Sequence, residues 1–106
     1  MDQRLETIVA ELREQLEALY GERLKRLVLF GSHARGDAEP GSDVDVLVVL
    51  EGTINSWEEI QRTSDVRVDL CLKYEVVVSC VYVTEDSYNR EKSPLLLNVR
   101  REGLAI

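Results

Sequence analysis

Cysteine, positive charge and long apolar runs are all scarce in this sequence of 106 residues. The two cysteines, Cys71 and Cys80, lie in apolar segments without CxxC spacing. That spacing argues against a zinc site or a disulfide framework and predicts two reduced core thiols. Thirteen Lys and Arg stand against 20 Asp and Glu, a net charge of −7. The basic clusters, such as Arg23-Leu24-Lys25-Arg26, are too short to neutralise a run of phosphates, so no direct nucleic-acid partner is expected. The longest mainly apolar runs, Val46 to Leu50 and Val76 to Val83, fall far short of the roughly 20 residues of a membrane helix. The charged start Met1-Asp2-Gln3-Arg4-Leu5-Glu6 has no signal-peptide core. The expectation is a soluble, cytoplasmic protein with no membrane contact.

What is present suffices for a core. Hydrophobic residues make up 44% of the chain and charged residues 31%, the balance of an ordinary globular protein. The length predicts one domain over residues 1–106. A domain this small buries only roughly two-thirds of the surface its unfolded chain exposes, so help from a partner subunit is expected.

Leu5, Ile8, Val9, Leu12, Leu16, Leu19 and Tyr20 follow the spacing of one helical face, which predicts an amphipathic helix over residues 3 to 20, ended by Gly21. Leu27-Val28-Leu29-Phe30 reads as a buried strand that stops at Gly31-Ser32. Residues 33 to 42 read as a loop with room for one helical turn, and Asp43 to Leu50 as a second strand. Ser56-Trp57-Glu58-Glu59 has the form of a capping box, opening a helix from about Trp57 to Leu72. Val76 to Val83 is the third predicted strand. Thr84-Glu85-Asp86 and Ser93-Pro94 start two further helices, the last with Leu95, Leu96 and Val99 inward and Gly103 as its stop. The resulting order describes a small α/β (α+β) domain with a mixed sheet flanked by helices.

The informative stretch is Gly31-Ser32, ten residues, and Asp43-Val44-Asp45. Residues two apart on a strand share a face, with Cα atoms roughly 6.6 Å apart. Two carboxylates held together in an apolar strand repel each other unless a cation lies between them. Mg²⁺ fits, with hard oxygen ligands and coordination sites left for water and phosphate. Gly31 permits close backbone approach, and Ser32 offers a hydroxyl and an amide to phosphate oxygens. The alternative is a solvated edge-strand face beside a simple turn.

Gly31-Ser32-His33-Ala34-Arg35-Gly36 together with Ser42-Asp43-Val44-Asp45 resembles the signature of the nucleotidyltransferase superfamily, and more closely its minimal nucleotidyltransferase (MNT) members. The motif residues cover about Leu24 to Leu50. The resemblance implies a polymerase-β-like fold, with Asp43 and Asp45 as catalytic Mg²⁺ ligands and Gly31 and Ser32 at the triphosphate of ATP. Arg35 matches the Arg of the family's GSxARG segment. It is open between phosphate binding and a salt bridge to Asp37 or Glu39 that shapes the loop.

One departure from the family concerns a third carboxylate, usually carried by the strand after the second helix and acting as metal ligand or general base. Here that strand has no acid; Val77 is the expected equivalent, with Asp69 and Glu75 as the nearest candidates for substitution. The resemblance further implies an antitoxin that transfers AMP from ATP to a tyrosine of a HEPN ribonuclease toxin, and a hetero-oligomer with that toxin. A catalytically degenerate antitoxin that acts by binding alone, and transfer to a small molecule or an RNA end, are the alternatives.

Among the other residues, His33, the sole histidine, is a base or phosphate ligand in one reading and a variable loop residue in the favoured one. Trp57 is expected to pack rather than stack on adenine. Tyr82 and Tyr88, with Leu95, Leu96, Leu97 and Val99, place apolar mass near the C-terminus where an interface is expected.

Overall fold

The computed structural model describes residues 2–106. Helix α1, Gln3–Tyr20, opens with the Asp2 side chain accepting the Leu5 amide, and buries Leu5, Ile8, Val9, Leu12, Leu16 and Tyr20. A short 3₁₀ turn, Gly21–Arg23, leads into strand β1, Leu24–Phe30. A single-turn helix α2, Ser32–Arg35, and a loop then precede strand β2, Val44–Leu50. Helices α3, Ser56–Arg62, and α4, Ser64–Tyr74, lead to strand β3, Val78–Thr84. Helices α5, Glu85–Arg90, and α6, Pro94–Glu102, and the two-residue strand β4, Leu104–Ala105, complete the chain.

The strands lie in the order β3-β2-β1-β4, with β2 parallel to β3 and antiparallel to β1. Val44, Val46, Val48 and Leu50 of β2 face α1, while Leu47 and Val49 face Leu96 and Val99 of α6. Burial on both faces is why β2 reads as a continuous apolar run rather than an alternating one. Asp45 is the one residue of β2 that is not fully buried. An interior position for β2 also overturns the edge-strand alternative for the two aspartates.

The expected single helix from Trp57 to Leu72 is two helices broken at Thr63. The Thr63 hydroxyl, fully buried, bonds back to the Glu59 carbonyl and pairs with the Tyr82 hydroxyl, a side-chain bond that bends a helix. The expected capping box is also displaced. Asn55 caps α3 by accepting the Glu58 amide at 3.2 Å, and the Glu59 carboxylate is buried instead, accepting the Tyr20 hydroxyl at 2.7 Å beside Arg62.

The starts of α5 and α6 are as expected, with Thr84 capping Ser87 and Ser93 capping Leu96. Gly103 ends α6 for a reason the sequence does not display. Its backbone is extended, and a Cβ there would overlap Val28 and the Val99 carbonyl where β4 joins β1.

Three packing expectations are corrected. Cys71 is exposed rather than a core thiol. Trp57 is 67% exposed, so it does not staple α3 to a neighbour. Tyr82, Leu96 and Val99 belong to the core, leaving only Leu95 and Leu97 of the expected C-terminal patch exposed. Among the described residues no helix is long and apolar enough to cross a membrane.

Candidate active site

Strand β1 delivers the chain to the site. Its last residue, Phe30, pairs with Asp45 across the sheet. Gly31 then turns out of the strand with φ 78° and ψ −156°, a backbone conformation essentially confined to glycine. A Cβ at Gly31 would overlap Asp45 Oδ2 and lie 3.3 Å from Asp45 Cγ. The glycine is therefore required twice, by its dihedrals and by the carboxylate against it. The Gly31 carbonyl accepts the amides of Ala34 and Arg35, both at 3.1 Å. The first-turn amides of Ser32 and His33 have no helical partner and are available to an acceptor.

Asp43 is exposed and lies one residue ahead of β2; Asp45 is partly buried within it. Burial first, and then the charge of Asp43, push the Asp45 carboxyl above its ordinary value, and His33 and Arg35 offset this in part. No Lys, Arg or His makes an ion pair with either carboxylate among the described residues. A carboxylate that is partly buried beside a second carboxylate gains from any positive charge placed between the two. Together with the glycine cradle, this donor set fits a hard divalent cation. No group of three or more His, Cys, Asp or Glu side chains is gathered as a metal centre among the described residues. The two aspartates are a partial shell, which substrate phosphates and water would have to complete.

Strand β3 offers no further acid. Its register sets Ser79 opposite Asp45, and the Val44 amide bonds to the Val77 carbonyl. Val77 and Ser79 therefore follow Asp43 and Asp45 on the same face of the sheet. Neither neighbouring acid substitutes. Asp69 lies on α4 and accepts a bond from Gln15 of α1, across the sheet from the pair, while Glu75 is exposed at the left-handed end of α4.

Arg35 is held by Asp37 at 3.2 Å and approaches Glu102 at 4.0 Å. The loop-shaping salt bridge is formed, with Asp37 and not Glu39 as its loop partner. His33 and Ser42 are residues whose part the sequence does not display. Ser42 closes the loop by accepting the Glu39 amide on Oγ at 2.9 Å, and its carbonyl lies 3.2 Å from His33 Nε2. The Glu39-Pro40-Gly41-Ser42 turn composition was the available signal. A cleft of about 420 Å³ opens beside this loop, lined by His33, Ser42, Glu75 and Val77 among others. Gly31, Asp43 and Asp45 are thus gathered in one place with Ser32 adjoining, and Arg35, paired with Asp37, places its charge near Asp45.

Comparison with known proteins adds the following. The model of a family described as nucleotidyltransferase domain matches residues 9–93. A Methanocaldococcus jannaschii protein provisionally named a protein adenylyltransferase is 34% identical over 86 residues, 81% of this chain and 80% of the relative. A chain from the crystal structure of a toxin–antitoxin with AMP-PNP aligns over 94% of this chain and 70% of its own length, with a TM-score of 0.65 and 19% identity. A chain from a complex of a tri-AMPylated Shewanella oneidensis HEPN toxin with an MNT antitoxin aligns over 92% and 70%, with a TM-score of 0.52 and 18% identity. At these identities the two structures speak to the fold.

Proposed function

The chain belongs to the nucleotidyltransferase domain family, and from that premise we propose that it is an antitoxin that transfers AMP from ATP to a tyrosine hydroxyl of a HEPN ribonuclease toxin. The observation that carries this reading is the pair Asp43 and Asp45, unpaired with any cation among the described residues and set against the Gly31 turn. The names carried by the relative and by the structural neighbours supply the acceptor: a protein adenylyltransferase, and a HEPN toxin bearing AMP.

In this reading residues 1–106 act as one minimal nucleotidyltransferase domain. The Gly31-Ser32 backbone and the Ser32 hydroxyl take the β- and γ-phosphates. Asp43 and Asp45 would hold Mg²⁺, which when bound would supply positive charge to the triphosphate and to the leaving pyrophosphate. The toxin tyrosine oxygen bonds to the α-phosphorus, the bond from that phosphorus to the pyrophosphate oxygen breaks, and the phenolic proton passes to solvent. With no acid on β3 to take that proton, catalysis rests on positioning and charge neutralisation. Arg35 pairs with Asp37 in the loop and carries its charge beside Asp45, where its guanidinium is the further candidate for a phosphate.

The acid-free face of β3, Val77 and Ser79, favours one second reading, an antitoxin that neutralises its toxin by binding alone. Intact-mass spectrometry separates the two, with the cognate toxin incubated with this chain, ATP and Mg²⁺. Transfer adds the mass of AMP to the toxin, and the Asp43→Asn/Asp45→Asn variant loses the addition. A stable complex with no added mass from the wild-type protein rules out transfer.

A further inference from the structure

Asp43 lies outside the hydrogen-bond ladder of the sheet, whose first bond on this strand is from the Val44 amide to Val77 at 2.9 Å. Its backbone is fixed instead from the residue before it. The Ser42 carbonyl belongs to the same planar peptide unit as the Asp43 amide, so whatever holds that carbonyl sets the direction in which Asp43 leaves the loop.

We propose that His33 is a positioning residue for the metal site, its ring N–H holding the Ser42 carbonyl so that Asp43 stays beside Asp45. This rests on the reading of Asp43 and Asp45 as metal ligands. The contact is 3.2 Å, partly buried, and spans nine residues. A carbonyl only accepts, so Nε2 carries the hydrogen.

The other bonds of the loop do not perform this task. Gly36 and Asp37 bond back to the Ser32 carbonyl at the start of the loop, and Ser42 and Glu39 bond to each other within it. The bond from His33 joins the end of the loop to α2, which begins at the Gly31 turn against Asp45. One side chain thereby links the two halves of the site across the intervening residues. His33 makes no hydrogen bond to either carboxylate, so beyond the charge it places near Asp45 its part through Ser42 is geometric.

The test is Mn²⁺ binding, followed by electron paramagnetic resonance with a non-hydrolysable ATP analogue present. The proteins compared are wild type, His33→Ala, His33→Phe and His33→Gln, with thermal melting recorded on each. Gln places an amide N–H where the imidazole Nε2 lies, and Phe keeps a ring without the donor. One lost hydrogen bond of ordinary strength corresponds to about 3- to 10-fold weaker Mn²⁺ binding for the Ala and Phe variants. The Gln variant is expected to bind within about 2-fold of wild type, although its melting temperature moves as the others do. Wild-type affinity in the Phe variant, or failure of Gln to restore binding, overturns the inference. If wild type and the Asp43→Asn/Asp45→Asn variant both fail to bind Mn²⁺, the metal site itself falls and the inference with it. That outcome is distinct from a wild type that binds and a His33 series that does not respond.

Discussion

Replacing Gly31 with alanine separates two costs that the structure places at one residue. The dihedrals of Gly31, φ 78° and ψ −156°, carry a penalty of about 1–3 kcal/mol for any residue with a Cβ. The new Cβ also overlaps Asp45 Oδ2 and lies 3.3 Å from Cγ. Forcing an additional methyl into an occupied space typically adds about 1–3 kcal/mol. In the wild-type background Gly31→Ala should therefore cost about 2–6 kcal/mol, against a total stability on the order of 5–15 kcal/mol for a domain.

In an Asp45→Ala background the overlapping oxygen and Cγ are gone, and only the Cβ at 3.4 Å remains, an ordinary contact. There the cost should fall to the backbone share alone. Urea unfolding of the four proteins in this cycle reads the difference directly, with a coupling of at least about 1 kcal/mol expected between the two sites. Equal losses in both backgrounds would refute the idea that the carboxylate occupies the space in front of Gly31. AMP transfer by Gly31→Ala should be lost along with the displaced Asp45.

Three further outcomes follow from the core and surface chemistry. Cys71 is exposed while burial pushes the Cys80 thiol up to about 11, so a thiol reagent at neutral pH should label one cysteine in the native protein and two after denaturation; two native labels would contradict the placement of Cys80. Burial also pushes the Tyr82 hydroxyl up to about 12. The folded state thus keeps protons on Cys80 and Tyr82 that the unfolded chain releases from pH 9 and 10 upward, and stability must fall as pH rises through that range toward 12. A Cys80→Ala/Tyr82→Phe variant should show a shallower fall in the urea midpoint, and an unchanged slope would count against both assignments. Tyr20→Phe removes the 2.7 Å bond to the Glu59 carboxylate, which is only 2% exposed, and should cost about 1–3 kcal/mol. Adding Glu59→Gln should recover part of that loss in the same unfolding assay.

Those features of the fold that depend on local chemistry were legible in the residues. The spacing of Leu5, Ile8, Leu12 and Leu16 marks α1, and the Ser93-Pro94 pair marks the start of α6. The β-branched content of residues 43–50 marks β2 as a strand, whereas Gly31, Asp43 and Asp45 stand out through the resemblance to a family motif, the residues alone leaving a solvated edge strand open. What escaped depends on residues far apart in sequence. Thr63 breaks the second helix where its hydroxyl bonds back to the Glu59 carbonyl and meets Tyr82, and nothing within residues 57–72 announces the second of these partners. Strand β4 is two residues long and exists only because β1 offers an edge. Apolar periodicity, likewise, indicates which residues share a face but not what covers it, so Trp57 and Cys71 were expected inside and lie outside. The tie from His33 to Ser42 joins two loop residues by geometry alone.

The placement of β2 has a consequence for how the site moves. Its amides are enclosed between β1 and β3 and between two helical layers, so they should be among the slowest of the domain to exchange hydrogen. Asp45 rides on that slowest unit. The segment from Ser32 to Ser42 is held by a single helical turn and a few bonds at the surface, and it opens at far smaller cost. The two walls of the site therefore belong to different timescales. In the proposed function, adjustment to a nucleotide is expected in the loop rather than at Asp45, and added protection of residues 32–43 against exchange in the presence of ATP would be its sign.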